Sequence, residues 1–459
     1  MLRTIGRRLT SFFRATTPDP FVLAVALTTL VLALAWVVEG TSPVAAVRAW
    51  QGDSGFWSLL AFSMQMVLIL VTGHALAATR PVRAMIRGFT SLPRDGAQAA
   101  ALVAFVAMAT ALVNWGLGLI VGALLARDMG RACARRGVKA HYPLLVAAGY
   151  AGLMCWHGGL SGTAPLKMTT AADLVSFLGA DLAERVEPVG FTRTVFGLGN
   201  LVTSGGLLLL VPLACYLLAP RDADPVEAID AFDVAPDDDT AAPPPTTWPE
   251  RLGQSPFGLL LVVPPLATAV VLFFAETGVD RLEPNAINLI FLTLGLVLHG
   301  SLVAYARAIG DATRHASGIV LQFPFYAGIM GVMRATGLAA TLAAGLAAVA
   351  PAKLYTVTTF LSAGLVNLFV PSGGGQWAVQ GPIAVEAARD LGIPIEQAVM
   401  AVAYGDQWTN MLQPFWALPL LAITGVKAKD ILGYTALFLV IGGLWMGGSL
   451  YVQAALTTP

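Results

Sequence analysis

Apolar runs of about twenty residues alternate with short polar segments along most of the chain. A helix of roughly that length crosses the hydrocarbon core of a bilayer, which is about 30 Å thick. The pattern therefore predicts an all-α polytopic membrane protein. Nine crossing helices are expected, at about residues 21–38, 57–78, 142–166, 196–218, 257–275, 285–303, 317–333, 398–423 and 431–451.

Two further apolar stretches predict re-entrant hairpins rather than crossings. Residues 97–126 have basic flanks at both ends, so both ends are expected on the same side of the membrane. Asn114, Gly116 and Gly118 lie at the centre of this stretch and predict a hairpin tip. Residues 355–389 predict a second hairpin whose tip is glycine-rich. A tip at membrane depth is stable only when it is buried in protein or lines a wet cavity.

Two of the predicted crossings are interrupted near their middle. Residues 142–166 contain the segment Trp156–Pro165, which is rich in Gly, Ser, Thr and Pro. Residues 398–423 contain the polar segment Asp406–Asn410. Glycine and proline disfavour a continuous helix, so a broken helix is expected in the first case, and the polar run favours one in the second.

The two halves of the chain repeat these features at an offset of about 254 residues. Tyr150 and Tyr404 precede the two breaks in similar local sequences, and Asn114 and Asn367 lie at similar distances before these tyrosines. Basic loops place the halves in opposite orientations, which predicts an inverted repeat. The expected units are a first repeat at 1–219, a cytoplasmic linker at 220–256 and a second repeat at 257–459.

Charged residues define the expected topology and exclude several classes of function. Four arginines precede the first apolar run, so the N-terminus is expected on the cytoplasmic side of the cytoplasmic membrane. The chain is 56% hydrophobic and 12% charged, and its 27 basic and 27 acidic residues cancel, which disfavours a nucleic-acid partner. Three scattered cysteines disfavour a disulfide framework or a Cys-rich metal site. The lipid bilayer is the expected partner, and no cofactor is expected.

Inverted repeats with broken helices are typical of secondary transporters. The N-terminal end of a broken helix offers unpaired N–H groups and a positive dipole end, which can hold an anion near the membrane midplane. Common catalytic motifs such as HExxH and GxSxG are absent from the sequence, so an enzyme is disfavoured. A passive channel is also disfavoured, because inverted hairpins favour alternating access.

Several segments resemble the short-chain fatty acid transporter family. They are LLAFSMQMVLILVTGHALA (59–77), VNWGLGLIVGALLAR (113–127), LQFPFYAGIMGVM (321–333), VPSGGGQWAVQGP (370–382) and AYGDQWTNMLQPFWALP (403–419). The resemblance implies uptake of short-chain monocarboxylates of the butyrate or acetoacetate type, and a place in a wider group of ion transporters with paired hairpins. Some members of that group are elevator-type dimers, so a homodimer is left open. Where the family motif reads WGGGFSG, this chain has His157 in the second position.

The candidate substrate-binding residues lie at the two tips and the two breaks. Glycine allows backbone N–H groups to approach a carboxylate closely, while hydroxyl and amide side chains add neutral donors. A tight turn, helix capping or close helix packing are the competing interpretations. The candidates are Asn114, Gly116, Gly118, Ser161, Gly162, Thr163, Ser372, Gly373, Gly374, Gly375, Gln376, Gln407, Asn410 and Gln413.

The candidate ion-coupling residues are Asp406, Thr409 and His157. A carboxylate within a membrane span is rare and usually functional. Asp406 could carry the coupling proton, coordinate Na⁺ together with neighbouring oxygens, or stiffen the break through hydrogen bonds. His157 could titrate near neutral pH, or could be a satisfied structural residue.

The binding motifs contain neither Arg nor Lys, and Lys167 and Arg334 are expected at span ends. One carboxylate with a short apolar tail suits such a site, with Trp115, Trp156, Trp377, Trp408, Phe415 and Trp416 as candidate wall residues. The sequence therefore predicts a secondary carrier of short-chain monocarboxylates, coupled to H⁺. The alternative is a Na⁺- or H⁺-coupled carrier of another organic anion, such as a dicarboxylate or a gluconate-like acid.

Overall fold

The computed structural model describes residues 2–221, 224–234, 245–278, 284–347 and 352–457. Throughout these ranges the regular secondary structure is helical. The acidic run Asp237–Asp239 of the predicted linker lies outside the described residues.

The first half of the chain forms helices α1 to α12. Their bounds are α1 Leu2–Thr16, α2 Pro20–Glu39, α3 Pro43–Gln51, α4 Leu60–Ala77, α5 Arg80–Ser91, α6 Gly96–Val113, α7 Trp115–Arg135, α8 Tyr142–Tyr150, α9 Thr163–Leu166, α10 Ala171–Leu178, α11 Ala180–Ala183 and α12 Leu198–Leu218. Between α8 and α9 the chain makes the 3₁₀ turns Ala151–Met154 and Trp156–Gly158.

The second half forms helices α13 to α23. Their bounds are α13 Trp248–Gln254, α14 Phe257–Thr277, α15 Pro284–His299, α16 Leu302–Thr313, α17 Ser317–Ala335, α18 Leu338–Ala347, α19 Tyr355–Asn367, α20 Gly373–Asp390, α21 Ile395–Thr409, α22 Pro414–Thr424 and α23 Ala428–Thr457. Short 3₁₀ turns lie at Ile229–Ala231, Arg314–Ala316, Ala352–Leu354 and Asn410–Leu412.

Seven helices of the described ranges are long and apolar enough to cross a membrane: α2, α4, α6, α12, α14, α17 and α23. The most exposed of them is α14, with only 6% of its apolar window buried, as expected of a helix that faces lipid. Helix α15 is apolar but has only 16 residues. The predicted number of nine crossings therefore stays a prediction.

In the segment of the first predicted hairpin, two helices pack side by side and meet at one residue. Asn114 ends α6 and begins α7. The first arm, α6, begins about where it was expected, whereas the second is longer, because α7 continues past residue 126 to Arg135. A Cβ at Gly118 would collide with the main chain of Ala111, so glycine permits the close approach of the two arms.

In the segment of the second predicted hairpin, α19 and α20 are joined by residues 368–372. Tyr355 at the start of α19 donates its hydroxyl to the Ala384 carbonyl on α20, at 2.6 Å. Gln376 in the first turn of α20 donates to the Ala363 carbonyl on α19, at 2.8 Å. The two arms are thus joined near both ends.

A polar cluster of Arg14, His141, Glu227 and Asp430, here the Arg14 cluster, joins four distant parts of the chain. The Arg14 guanidinium binds both Glu227 carboxylate oxygens, at 2.8 and 2.6 Å, and Asp430 Oδ1 at 2.8 Å. The hydrogen bond from Arg14 lowers the pKa of Glu227, and burial lowers the pKa of His141 to about 4.

Part of the predicted linker packs against the helices. Ile229 is buried, and the Phe232 ring lies 5.5 Å from that of Tyr142. The Tyr142 N–H donates to the Glu227 carbonyl at 2.8 Å. These described residues of the linker are therefore fixed to the start of α8.

Candidate functional site

The two broken helices meet in the interior, and Gln407 from the second break binds the first. The N–H groups of His157 and Gly158 donate to Gln407 Oε1, at 3.0 and 3.3 Å. A 3₁₀ turn that begins inside the protein leaves its first N–H groups without helical acceptors, and an unpaired buried N–H is costly. Gln407, whose side chain is fully buried, supplies an acceptor for the His157 N–H and a second one for the Gly158 N–H, which also donates to the Cys155 carbonyl at 3.2 Å.

His157 and Asp406 form a buried pair next to this contact. His157 Nδ1 lies 3.3 Å from Asp406 Oδ1, with side chains 1% and 2% exposed. His157 Nε2 accepts the Ala164 N–H at 2.9 Å, so the ring proton of neutral histidine is assigned to Nδ1, which faces the carboxylate. Asp406 Oδ2 is buried and has no hydrogen-bond partner among the described residues.

Asn367, at the end of α19, organises the second break. Its Nδ2 lies within hydrogen-bond distance of the Asp406 carbonyl (2.7 Å), Thr409 Oγ1 (3.0 Å) and Asn410 Oδ1 (2.9 Å). Gln413 Nε2 donates back to the Asn367 carbonyl. The oxygens of Thr409 and Asn410 therefore already have a protein donor, which favours a structural role for these two predicted site residues.

In the sequence Asn367 is only the counterpart of Asn114 in the repeat and is not among the candidate site residues. The repeat points to Asn367, because Asn114 at the matching position is a candidate site residue. An asparagine that bonds several groups of a broken helix is a natural support for that break.

The first tip is closed by its own side chains. Asn114 is 1% exposed, and its Oδ1 accepts the N–H groups of Gly116 (2.9 Å) and Leu117 (3.1 Å). Ser161 Oγ accepts the Trp115 N–H at 3.0 Å. The first N–H groups of α7 are therefore capped within the protein.

Packing also accounts for Gly162, another predicted site residue. A Cβ at Gly162 would collide with the His157 carbonyl, so glycine is needed for the turn that follows the first break. Together with the close approach at Gly118, this explains both glycines without a ligand.

The second tip is open by comparison. Ser372 Oγ accepts the Gly375 N–H at 3.2 Å, and among the described residues the N–H groups of Gly373 and Gly374 have no acceptor. A Cβ at Gly373 would lie 3.0 Å from Thr163 Oγ1 and 2.8 Å from the Trp156 ring. The glycines thus bring the start of α20 directly against the first break.

Gln376 differs from the other predicted residues of this tip. It is fully buried, and its Nε2 donates both to the Ala363 carbonyl, at 2.8 Å, and to Gln380 Oε1, at 3.1 Å. Its amide group therefore ties the hairpin arms together rather than facing the tip.

Each break is also held by a tyrosine from the other half. Tyr150 donates its hydroxyl to the carbonyls of Asn410 (2.8 Å) and Gln413 (3.1 Å). Tyr404 donates to Asn200 Oδ1 at 2.9 Å, and Asn200 donates to the Gly158 carbonyl at 2.8 Å. The matching tyrosines of the proposed repeat therefore make reciprocal contacts.

Four of the six predicted wall residues form one aromatic cluster. Trp115 lies 5.1 Å from Trp416 and 6.4 Å from Trp156, and Phe415 lies 5.0 Å from Trp416. Trp408 instead packs on another ring, and its indole N–H donates to the Leu439 carbonyl. The apolar surface near the first break is therefore the cluster around Trp115.

Arg334, at the end of α17, is the second residue that sequence reasoning left out of the site. Its guanidinium lies against Gly375, where a Cβ would collide with Nη2. The sequence placed Arg334 correctly near the end of an apolar run. It gave no sign that this end meets a tip some forty residues later, because that contact depends on how α17 packs.

Comparisons with known proteins agree on one family. A family profile described as "Short chain fatty acid transporter" matches residues 1–453. The chain is 40% identical over 447 residues to a protein of Escherichia coli (strain K12) named "Putative short-chain fatty acid transporter", covering 97% of this chain and 98% of that protein. A protein of the same name from Haemophilus influenzae is 38% identical over 437 residues, covering 95% and 96%.

Among solved structures, the chain is similar to the YdaH transporter of Alcanivorax borkumensis, with a TM-score of 0.43 and 18% identity, covering 96% of this chain and 99% of that one. The matched family consists of transporters and not of enzymes. This multi-pass membrane protein therefore belongs to the short-chain fatty acid transporter family.

Proposed function

We propose that this protein is a secondary carrier that moves a short-chain monocarboxylate together with a proton across the cytoplasmic membrane. Family membership supports the substrate class. The observation that carries proton coupling is the buried pair of His157 and Asp406, in which one carboxylate oxygen has no partner among the described residues.

The geometry of the pair suits reversible protonation of Asp406. His157 Nδ1 lies 3.3 Å from Oδ1 without a hydrogen bond, and Oδ2 also lacks a partner among the described residues, so the proton is expected to bind at Oδ2. An ionised carboxylate in a low-dielectric interior is costly, and protonation removes that cost. A carrier that reorients with Asp406 protonated would therefore move a proton with the substrate.

The residues around the first break and the start of α20 suit a small acid with an apolar tail. The Trp115 cluster offers an aromatic surface beside the first break, and Thr163 adds a hydroxyl next to the start of α20. A dicarboxylate would need more positive charge than the neutral groups of the two breaks provide. A monocarboxylate of the butyrate or acetoacetate type is the best match.

Alternating access would come from exchanging the conformations of the two halves. The reciprocal contacts of Tyr150 and Tyr404 support a repeat of this kind. In the proposed topology the N-terminus lies on the cytoplasmic side, since α1 and α5 carry basic residues next to the ends of apolar helices.

Sodium is the second candidate coupling ion. In addition to Asp406 Oδ2, Asn367 Oδ1 and Gln413 Oε1 are buried without a hydrogen-bond donor in the described part of the chain. Neutral amide oxygens together with one carboxylate oxygen are a donor set that suits a hard cation. The experiment that follows therefore imposes H⁺ and Na⁺ gradients separately.

Uptake of labelled butyrate into proteoliposomes, with H⁺ and Na⁺ gradients imposed separately, tests the proposal. We expect saturable accumulation that a proton gradient drives and a protonophore abolishes. Asp406→Asn is expected to abolish accumulation, because the amide cannot bind the proton. The matched control is Asp311→Asn, which changes a carboxylate on the exposed surface of α16 and is expected to transport like the original protein.

The outcomes separate the alternatives. Accumulation driven by Na⁺ alone would replace the proton with sodium. Full proton-driven uptake in Asp406→Asn would exclude Asp406 as the coupling group. Failure to take up any monocarboxylate would contradict the substrate class.

A further inference from the structure

We propose that Arg334 and the first turn of α20 bind the carboxylate of the substrate in its ionised form. This inference rests on the proposed function and deepens it, because it adds the positive charge that sequence reasoning did not find among the binding motifs. It also assigns the negative charge and the proton to separate places in the molecule.

The first observation is an unbalanced charge. The guanidinium of Arg334 lies against Gly375, and it makes neither an ion pair nor a hydrogen bond with the described residues. The N-terminal end of a helix carries a partial positive charge, so a cation beside it is unfavourable. An anion between Arg334 and α20 would turn this repulsion into two attractions.

The second observation is a set of donors that lack acceptors. The N–H groups of Gly373 and Gly374 have none within the described ranges. Trp156 is 5% exposed, Cη2 of its ring lies 2.8 Å from the position of a Cβ on Gly373, and its indole N–H, on another edge of the ring, has no acceptor among the described residues. An indole N–H and backbone N–H groups can only donate, so the missing partner is an acceptor.

The third observation concerns access and chemistry. Arg334 is exposed although its guanidinium touches the tip, so the described residues leave part of this side chain uncovered. Guanidinium groups bind carboxylates through two parallel hydrogen bonds. One arginine facing one uncapped helix end suits a single carboxylate.

The carboxylate site and the proton site are one side chain apart. The position of a Cβ on Gly373 lies 3.3 Å from Cε1 of the His157 ring, whose Nδ1 faces Asp406. A substrate bound at Arg334 would therefore lie close to the charge that the proton neutralises. The transported pair is then an anion and a separate proton, rather than a neutral acid.

The test measures butyrate binding and butyrate transport on the same purified variants. Thermal unfolding in detergent is recorded with sodium butyrate and with sodium chloride at equal concentration, since a ligand of the native state raises the melting temperature. Uptake into proteoliposomes gives the half-saturating butyrate concentration and the maximal rate. The variants are Arg334→Gln, Arg334→Lys and Gly375→Ala, and the matched control is Arg314→Gln, which removes an 81% exposed guanidinium.

We expect Arg334→Gln to lose the butyrate-dependent rise in melting temperature and to raise the half-saturating concentration about ten-fold or more. Arg334→Lys should recover part of the affinity, because it keeps the charge without the paired geometry. Gly375→Ala should also weaken binding, because its methyl group displaces the guanidinium. Arg314→Gln should behave like the original protein in both measurements.

Equal melting shifts in Arg334→Gln and the original protein, no shift in either, or an unchanged half-saturating concentration would overturn this carboxylate site. Binding that depends on Arg334 without any uptake would keep the site and contradict the proposed function. Proton-driven uptake that does not depend on Arg334 would keep the function and overturn the site. The melting temperature in chloride shows whether each variant is folded.

Discussion

The two hairpin tips differ in how far the N–H groups at the start of their second helix are paired within the described residues. At the first tip, Asn114 and Ser161 accept the first N–H groups of α7. At the second tip, Ser372 caps one N–H group, and the glycines after it face Thr163, Trp156 and Arg334. The first tip is therefore closed by its own side chains, whereas the second keeps unpaired donors among the described residues, as the proposed carboxylate site requires.

A steric test gives the largest expected difference between the tips. Gly118→Ala is expected to destabilise the protein by about 1–3 kcal/mol, because the added methyl group collides with the main chain of Ala111. Gly374→Ala should leave the melting temperature nearly unchanged, since the nearest atom to its Cβ is 3.8 Å away. Thermal unfolding of the two variants in detergent checks this. Equal destabilisation would show that both tips are closely packed.

A capping test separates structural from ligand-binding roles with a smaller effect. Asn114→Ala is expected to cost about 1–2 kcal/mol of stability, because the N–H groups of Gly116 and Leu117 lose their acceptor. The half-saturating butyrate concentration of the folded protein should change little. Ser372→Ala should reverse this pattern and weaken substrate binding more than stability. Melting temperature and uptake kinetics are measured on both. A change in affinity for Asn114→Ala alone would reverse the assignment of the tips.

The smallest expected effect is a pH dependence of stability. It arises from His141 in the Arg14 cluster, away from both tips. Because the pKa of His141 is lowered to about 4, the unfolded chain binds a proton between pH 4 and 6.5 that the native protein does not bind. Stability should therefore fall as the pH drops below 6.5, by roughly 1 kcal/mol at pH 5.5.

His141→Asn should abolish most of that loss while it keeps an acceptor for the Glu227 N–H. Thermal unfolding at pH 7.5 and 5.5 measures the loss of stability that His141 causes. This loss has to be known before an effect of acid pH on the protein is assigned to the His157–Asp406 pair. An equal loss in His141→Asn would place the acid-sensitive group elsewhere. The lowered pKa of Glu227 acts in the same direction, but only near and below its ordinary pKa of 4.5.

The features that the sequence predicts well are those carried by neighbouring residues. Long apolar runs, the glycine-rich tip and the polar interruption at Asp406 are all visible within a window of a few residues. Their helical structure follows from hydrophobicity and from the poor helix propensity of glycine and proline. The proximity of His157 to Asp406 was not visible, although both residues were selected separately.

The contacts that the sequence does not show join residues far apart in the chain. Gln407 caps a turn that lies 249 residues before it, and Arg334 meets a tip on another helix. These contacts depend on the packing of whole helices, which hydropathy alone does not determine. Several predicted residues, such as Asn114 and Gln376, have polar groups that other parts of the protein satisfy, and composition cannot distinguish such groups from free ones.

The reciprocal tyrosines have a consequence for the stoichiometry of transport. Tyr150 and Tyr404 each anchor to the opposite half, so a displacement of one break pulls on the other. A half-turnover that moved only the second break, where we propose that the proton binds, would have to lose these hydrogen bonds in the protein interior. Such slippage is therefore expected to be slow, and the ratio of protons to substrate should stay constant when the driving force is changed.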